Sequence, residues 1–305
     1  MTKQRILIVG GSGMLGHKLT QVIGTDDSLD VHVVTRSPIQ PAFAVARVTY
    51  HYGLDLSKSA TAVTDLIALE KPAVVINAVG AIKQKRLESA VDETFFVNGI
   101  LPHAMAYAVT KIGGRVIHFS TDCVFRGDTG GYLDTDNPNA LDLYGRSKAI
   151  GEINYGPHLT IRTSIVGFEL SGFHGLLSWL LSIPAGTAAS GYTHAIFSGL
   201  PTVTLAQTVR DLCVRPDIHG LYNVASTPIS KFDLLTRLGA ALGLSMSLVP
   251  NSELRIDRSL NDHLFREATG TTTPKWQGLI TDLVNDFHRW PYRQLISNSS
   301  TTQNR

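Results

Sequence analysis

Two residues on one predicted helix could transfer a proton. Tyr144 and Lys148 lie four residues apart in the segment LYGRSKAIGE. On a helix, side chains at this spacing share a face, which places the ammonium group near the phenol. A tyrosine has an unperturbed pKa of about 10, and a nearby cation favours its phenolate form. The spacing therefore predicts a pair that gives or takes a proton near neutral pH.

The segment FSTDCVF carries a second group of reactive side chains. Thr121, Asp122 and Cys123 interrupt an apolar strand with a hydroxyl, a carboxyl and a thiol group. A free cysteine is usually a buried side chain that packs as a small hydrophobe. The residue types alone leave open which of the three takes part in chemistry.

A glycine-rich segment, VGGSGMLG, follows the first predicted strand and begins the first predicted helix. Glycines at this place permit a tight turn, the close approach of a pyrophosphate and the packing of helix against strand. The helix N-terminus adds amide donors and the positive end of a dipole. A purely structural turn is the alternative, but the position after the first strand favours dinucleotide binding. The predicted cofactor loop consists of Gly10, Ser12, Gly13, Met14, Leu15 and Gly16.

The type of dinucleotide is indicated by Arg36, which follows the second predicted strand 20 residues after Gly16. NAD sites usually place a carboxylate there for the ribose hydroxyls, whereas an arginine favours a 2′-phosphate. The sequence therefore favours NADP(H) over NAD(H), with a solvated loop arginine as the alternative. Asp55, followed by Leu56, is placed by chain order to contact the adenine amine.

The elements that must position these residues alternate between strand and helix patterns. Apolar runs predict strands at Ile6–Val9, Val31–Thr35, Val74–Asn77, Arg115–Thr121, Leu159–Ser164 and Gly220–Val224. Helical patterns cover Leu15–Ile23, Ala60–Leu69, Glu93–Val109, Tyr144–Ile153, Val203–Asp211, Lys231–Leu242 and Gly278–Trp290. In the first half of the chain, the nearly continuous apolar strands alternate with helices, which predicts an α/β fold with a doubly wound parallel sheet of the Rossmann type.

The pattern loosens after Gly167, which suggests two parts of the chain. We expect a dinucleotide-binding Rossmann domain over residues 1–167, to which residues 199–225 return. Residues 168–305 are expected to form mainly a smaller, mixed α/β substrate-binding part. The polar tail from about residue 297 is expected to be frayed.

Composition excludes several classes of protein. The 305 residues carry a formal net charge of +2 without a basic block, so neither nucleic acid nor anionic membrane is an expected partner. The longest apolar stretch is about half of the ~20 residues that a membrane span needs. The two cysteines form no disulfide framework, and no Cys/His set has zinc spacing, so no metal site is expected. We expect a reduced, soluble, cytoplasmic protein.

Together the motifs resemble those of the extended short-chain dehydrogenases/reductases. Within that superfamily the chain is most similar to the dTDP-4-dehydrorhamnose reductase branch of nucleotide-sugar enzymes. The resemblance runs through GGSGMLG, INAVGA, STDCVFRGDTGGYLDTDNPNALDLYGRSK, IRTSIVG and DRSLNDHLFREATG. It implies a Rossmann fold, a nicotinamide cofactor and a nucleotide-sugar substrate.

The resemblance also implies a role for each matching residue. Thr121 corresponds to the hydroxyl that hydrogen-bonds the reacting oxygen of the sugar. Tyr144 corresponds to the general acid, and Lys148 to its activator and a ligand of the nicotinamide ribose. The three loop glycines are implied to bind the pyrophosphate. The residues implied to line or support the cofactor site are Asn77, Ala78, Val79 and Asn98. Asp122 and Arg258 are implied to contact the substrate. A capping role for Asp122 and a surface salt bridge for Arg258 are the alternatives.

The chain departs from two related patterns at Cys123. Many dehydratases of the superfamily carry glutamate there as a base, and this chain lacks it. In GDP-fucose synthase, a 3,5-epimerase and 4-reductase, a cysteine occupies the similar place and a histidine on a later segment is its partner. His174 falls roughly at that position. A thiolate and an imidazole on opposite faces of a ketosugar could move protons at C3 and C5, whereas an inert cysteine is the alternative.

The resemblance implies NADPH-dependent reduction of a dTDP- or UDP-linked 4-keto-6-deoxy sugar to the 4-hydroxy sugar, for surface polysaccharide or deoxysugar biosynthesis. The alternatives are a 3,5-epimerase/4-reductase, a 4-epimerase, and a non-catalytic NADP-binding regulatory subunit. A homodimer is possible.

Overall fold

The computed structural model describes residues 3–81, 90–172 and 174–295. The strands are β1 (Gln4–Val9), β2 (Leu29–Thr35), β3 (Thr49–Tyr52), β4 (Val74–Asn77), β5 (Arg115–Thr121), β6 (Leu159–Thr163), β7 (Ile165–Val166), β8 (Ala188–Phe197), β9 (Leu200–Pro201), β10 (Gly220–Asn223), β11 (Ile229–Ser230) and β12 (Ser247–Asp257). The helices are α1 (Met14–Ile23), α2 (Thr61–Glu70), α3 (Val91–Phe95), α4 (Leu101–Thr110), α5 (Leu143–Ile150), α6 (Leu176–Ser182), α7 (Thr202–Cys213), α8 (Lys231–Ala241), α9 (His263–Thr269) and α10 (Trp276–Arg289). The expected frayed tail lies outside the described residues.

Among the described residues, seven strands form one parallel sheet in the order β10-β6-β5-β4-β1-β2-β3. The predicted Rossmann fold class is confirmed. The order reverses direction between β1 and β4, and in open sheets of this kind ligands bind at such a switch point, beyond the carboxyl ends of the strands. Strand β10 lies beside β6, so residues 220–223 belong to this sheet. The division of the chain at residue 167 stays a prediction.

Helices cover both faces of the sheet, which explains why inner strands such as β1 and β4 are nearly continuous apolar runs. Ile6 and Ile8 of β1 pack into a core shared with α1, α7 and α10, whereas Leu7 and Val9 pack into a second core with α2 and α4. Because the side chains on both faces of β1 are buried, the strand lacks the alternation of apolar and polar residues that a half-exposed strand would show.

A smaller mixed sheet follows in the second half of the chain. Strand β12 pairs parallel to β8, with an irregularity between Asn251 and Arg255, and β11 pairs antiparallel to β8. Strand β7, which follows β6 in the chain, forms a short parallel pair with β9. Among the described residues, no helix combines the length and the apolar character that crossing a bilayer requires.

Several elements differ from the sequence-based expectation: the strands β8 and β12 and the helices α6 and α9 were not predicted, and two further differences bear on the central sheet and its helices. The edge strand β3 was not predicted because its residues, TYHY, are only partly buried and lack an apolar run. The single helix expected over 93–109 is interrupted by a π-helical turn at Phe96–Ile100. Pro102 lies in the first turn of α4 and lacks the amide N–H that a continuous α-helix would use.

A buried polar cluster attaches α10 to α1, the helix that carries the glycine loop. The ammonium of Lys18 lies 2.5 Å from Asp286 Oδ1, and both side chains are almost fully buried. Burial lowers the pKa of Lys18 to about 8 and raises the pKa of Asp286. The ring of Tyr292 lies 5.2 Å from the same ammonium, and its hydroxyl lies 2.9 Å from Nε2 of His17. Helix α10 and the residues that follow it therefore contact α1 directly.

We expect Asp286→Asn to lower the free energy of unfolding by about 3 kcal/mol, because it leaves the Lys18 ammonium buried without an opposite charge. Chemical denaturation measures the change. Asp211→Asn is the matched control, since Asp211 pairs with Arg210 on the surface, and exposed pairs contribute little. Equal effects of the two substitutions would contradict the interpretation.

Candidate active site

The glycine loop folds so tightly that two of its glycines, Gly10 and Gly16, leave no room for a side chain. Gly10 has a φ of +96°, and its amide donates to Val34 O at 3.0 Å. A Cβ on Gly10 would lie 3.0 Å from the backbone of Ala78, and a Cβ on Gly16 would overlap the carbonyl oxygen of Gly10. Glycine is therefore required at both positions by the close approach of β1, α1 and the turn after β4.

The N-terminus of α1 is suited to an anion. Gly13 is its N-cap and supplies no side chain to accept from the first amides of the helix. Such amides, together with the helix dipole, favour a phosphate group. Ser12 and Met14 are half-buried and Gly13 is exposed, so this part of the loop borders open space. The Leu15 side chain packs into the core, so only its backbone can face a ligand.

Arg36 and Asp55 lie at the carboxyl ends of the neighbouring strands β2 and β3. Both side chains are exposed. The pKa of Asp55 is lowered by hydrogen bonds from Ser57 and, to a smaller extent, by the charge of Arg36. The charge of Arg36 thus reaches Asp55, so the two exposed side chains lie near one another beyond the ends of β2 and β3. Leu56 is buried in the core between the sheet and α2, so its side chain does not face this edge.

Two buried asparagines hold the turn that follows β4. Asn77 Oδ1 accepts the Val79 amide at 3.1 Å, and its amide nitrogen lies 3.1 Å from His118 Nδ1. Asn98 accepts the Ala81 amide at 2.9 Å and donates to Ser147 Oγ at 3.0 Å. Asn98 lies in the π-helical turn, a feature frequent at functional sites. Both side-chain amides thus shape the loop, while Ala78 and Val79 are half-buried beside Gly10.

Thr121 and Tyr144 bring two hydroxyl groups together at the end of β5. The Thr121 hydroxyl donates to Asp122 Oδ1 at 3.2 Å and accepts the Cys123 amide at 3.2 Å. Burial, the Cys123 thiol and the Asp122 carboxyl raise the pKa of Tyr144, and a hydrogen bond with Thr121 opposes the rise. The phenol is therefore protonated at neutral pH and can act as a proton donor.

Lys148 is held by the backbone of β5. Its ammonium donates to Phe119 O at 2.6 Å. Burial lowers the pKa of Lys148 to about 8, and the carboxylate of Glu152 opposes that change. The sequence suggested that Lys148 favours the phenolate of Tyr144, but the largest effects on the pKa of Tyr144 come from other groups and raise it. The reason is that the phenol faces the residues after β5, whereas the ammonium binds the strand itself.

Arg258 reaches the segment that follows β5 from the end of β12. Its Nε donates to Phe125 O at 2.8 Å, and its Nη1 lies 3.8 Å from Cys123 Sγ. Burial raises the pKa of Asp122, while the charges of Arg258 and Lys231 oppose the rise. The structure thus brings Arg258 to the candidate site rather than to a surface salt bridge. Lys231 begins α8 and was not predicted, because no motif in its surroundings marks it.

The roles predicted for Cys123 and His174 stay predictions, because an acid–base pair that acts from opposite faces of a sugar need not be in direct contact. Burial and the Asp122 carboxyl raise the pKa of Cys123 to about 12, so the thiol is neutral at physiological pH. His174 is exposed, and within the described part of the chain it forms no hydrogen bond or ion pair with Cys123. Its segment is fixed by Glu169, which accepts the Gly175 amide at 2.7 Å and the Ser178 hydroxyl at 2.8 Å.

A buried ion pair behind the site was also not predicted. Arg162 of β6 donates from Nε and Nη2 to the two carboxylate oxygens of Glu152, each at 2.7 Å. The Ser120 hydroxyl donates to the same carboxylate at 2.7 Å. A signal for it existed, because Glu152 lies four residues after Lys148 and an arginine interrupts the apolar strand LTIRT.

The parallel sheet, the glycine loop after β1 and the Tyr144–Lys148 pair on α5 define an extended short-chain dehydrogenase/reductase. A family model described as "RmlD substrate binding domain" matches residues 4–172, more than half of the chain. The chain belongs to this family, and the resemblance found in its motifs is confirmed.

Relatives and solved structures agree with this assignment. The chain is 25% identical to the dTDP-4-dehydrorhamnose reductase of Shigella flexneri over 312 residues, which covers 92% of this chain and 97% of that protein. The crystal structure of dTDP-4-dehydrorhamnose reductase from Bacillus anthracis in complex with NADP matches with a TM-score of 0.76 at 20% identity, covering 93% and 100% of the two chains. The Bordetella bronchiseptica enzyme WbmG, in complex with NAD and UDP, matches with a TM-score of 0.77 at 18% identity, covering 95% and 96%. Both structures share the fold of this chain.

Gly16→Ala should lower the free energy of unfolding by about 1–3 kcal/mol, because the added methyl group overlaps the Gly10 carbonyl. Gly278→Ala is the control: Gly278 lies in α10 with open space around its Cβ position, and alanine there should leave stability unchanged or raise it. Denaturant titration of both variants tests the geometry. An unchanged stability of Gly16→Ala would show that α1 does not approach Gly10 as described.

Proposed function

We propose that the protein is an NADPH-dependent reductase of a dTDP- or UDP-linked 4-keto-6-deoxy sugar. The observation that carries the proposal is a pair of hydroxyl groups at the carboxyl end of β5. One is the hydroxyl of Thr121, and the other is the phenol of Tyr144, which is protonated at neutral pH. They lie at the edge of the sheet where the glycine loop is exposed. The family and the names of the relatives support this activity, for surface polysaccharide or deoxysugar biosynthesis.

The residues present fit a dinucleotide. The uncapped N-terminus of α1 and the close turn at Gly10 provide room and amide donors for a pyrophosphate. Arg36 is an exposed cation at the end of β2, where a 2′-phosphate would lie. When bound, NADPH supplies a hydride to the carbonyl carbon of the sugar. We propose that Lys148 donates to the nicotinamide ribose from its position beside Phe119.

Tyr144 is proposed to donate the proton that the reduced carbonyl oxygen takes up. An alkoxide is a much stronger base than a phenolate, so a tyrosine with a raised pKa still gives its proton at the moment the alkoxide forms. Thr121 orients that oxygen through its hydroxyl. Thr121 is buried and Tyr144 is half-buried, which limits the competition of water for their hydrogen bonds.

Asp122, Cys123 and Arg258 are proposed to face the substrate. A guanidinium is well suited to a diphosphate because of its planar set of donors. The bonds of Arg258 to Phe125 and Cys123 occupy Nε and engage Nη1. Its remaining donors, and the ammonium of Lys231, are the proposed contacts for the diphosphate.

The other activities have less support from the site. A 3,5-epimerase/4-reductase needs a thiolate and a partner acid, but the Cys123 thiol has a raised pKa and His174 is exposed. A 4-epimerase and a non-catalytic regulatory subunit remain distinguishable by assay: only a reductase consumes NADPH in proportion to product. The homodimer and the cytoplasmic location stay predictions.

Tyr144→Phe should lower kcat for NADPH oxidation by about 10²–10⁴-fold, because it removes the proton donor and keeps the ring. The assay uses a panel of dTDP- and UDP-linked 4-keto-6-deoxy sugars, followed by NADPH absorbance, with NADPH affinity measured by fluorescence. Tyr107→Phe is the control, since Tyr107 is exposed on α4. Full activity of Tyr144→Phe, or no NADPH oxidation by the unmodified protein with any sugar, would overturn the proposal.

Cys123→Ser should reduce the same substrate with kcat within a few-fold of the unmodified protein. In deuterated water, the product of the unmodified protein should carry no solvent deuterium at C3 or C5, because a neutral thiol does not abstract those protons. NMR of the product measures the label. Deuterium at either carbon that disappears in Cys123→Ser would instead identify an epimerising base.

A further inference from the structure

Two histidines and a glutamate meet on the outer part of the central sheet, away from the glycine loop. His32 lies on β2, His51 on the edge strand β3, and Glu70 ends α2. Nδ1 of His32 lies 3.0 Å from Nε2 of His51 and 3.4 Å from Glu70 Oε2. Glu70 Oε1 lies 4.0 Å from His51 Nε2. These three side chains are called the imidazole site below.

A second layer of charged groups surrounds the imidazole site. Asp30 Oδ1 lies 3.5 Å from Nε2 of His32, the ring nitrogen that faces away from His51. Arg5 binds Glu70 Oε2 at 2.8 Å and Asp30 Oδ2 at 2.8 Å. Arg5 therefore fixes one oxygen of Glu70 and leaves Oε1 directed towards His51.

We propose that the imidazole site binds one divalent transition metal ion of the zinc type. Two imidazole nitrogens and one carboxylate oxygen form a donor set that zinc accepts, with water as a fourth ligand. Tetrahedral zinc with Zn–N bonds of 2.0–2.1 Å separates its nitrogen ligands by about 3.3 Å. The two nitrogens therefore need to part by only a few tenths of an ångström to admit the ion.

The second layer has the composition that metal sites use. A histidine ligand generally donates its other ring N–H to a carboxylate, which fixes the orientation of the ring. Asp30 is placed to do this for His32. Among the described residues, the site and its contacts include two carboxylates, Asp30 and Glu70, and one guanidinium, Arg5. Their net charge of −1 attracts a divalent cation.

A bound ion would link three elements of the structure through their side chains. It would join the exposed strand β3 to β2 and to the end of α2. Strand β3 leads within three residues to Asp55, so the ion would stabilise the strand before the proposed adenosine pocket. The site is thus structural, and it stands independently of the proposed reductase activity.

The competing interpretation is a hydrogen bond between the two imidazoles with no metal. Calorimetric titration of the chelator-treated full-length protein with zinc chloride separates the two. We expect one site per chain, an affinity lowered about tenfold or more in His51→Asn and in Asp30→Asn, and unchanged binding in His219→Asn. His219 is an exposed histidine elsewhere in the chain and serves as the matched control.

Cobalt chloride gives a second measurement that a surface contact would not reproduce. Tetrahedral cobalt in the imidazole site should show visible absorption bands that Glu70→Gln weakens and that zinc removes by displacement. Zinc should also raise the melting temperature of the unmodified protein and not that of His51→Asn. No binding to the unmodified protein, or binding that His51→Asn leaves unchanged, would overturn the proposal.

Discussion

The parallel pairing of β1, β4 and β5 is the constraint on which the candidate site depends. The register places Val9 opposite Asn77, and Asn77 opposite His118. The glycine loop, the turn after β4 and the segment after β5 therefore leave the sheet side by side. Small contacts then fix their spacing: Gly10 against Ala78, Asn98 against Ala81, and Lys148 against Phe119. A shift of one residue in any of these pairings would separate the groups that the chemistry needs.

Burial shifts the pKa values of the acidic groups and of the lysine at this edge in opposite directions, because it favours the neutral form of each. It raises the pKa values of Tyr144, Cys123 and Asp122, which favours their protonated forms, and lowers that of Lys148. At neutral pH the Tyr144 phenol and the Cys123 thiol are therefore uncharged in the absence of ligands. Such a site is suited to giving a proton to a developing oxyanion and poorly suited to abstracting one from carbon.

Much of this could be predicted from the sequence, because the responsible signals are local. The apolar strands, the glycine loop and the spacing of Tyr144 and Lys148 each follow from residues close together in the chain. What could not be predicted depends on contacts between distant residues. Strand β3 exists because it pairs with β2, although its own residues carry no apolar run. The imidazole site combines residues from two strands and a helix, and its members are too far apart in the chain to form a zinc motif.

The same distinction applies to the residues that surround the catalytic group. Arg258 could be singled out only through resemblance, and its contacts with Cys123 and Phe125 arise because β12 ends beside the segment after β5. The electrostatic relation between Lys148 and Tyr144 could not be derived from their spacing. Helix periodicity puts the two residues on one face, whereas the direction of each polar group depends on the hydrogen-bond partners that the sheet supplies.

Transfer of deuterium from NADPH labelled at the nicotinamide C4 is the most direct test of the central claim. The label should be placed on either face of the ring in separate experiments with a dTDP- or UDP-linked 4-keto-6-deoxy sugar. We predict that one of the two labelled cofactors gives a product with deuterium at C4 of the sugar, located by NMR, and that the other gives none. Product formation without deuterium at C4 from either cofactor would contradict hydride transfer to the 4-keto carbon.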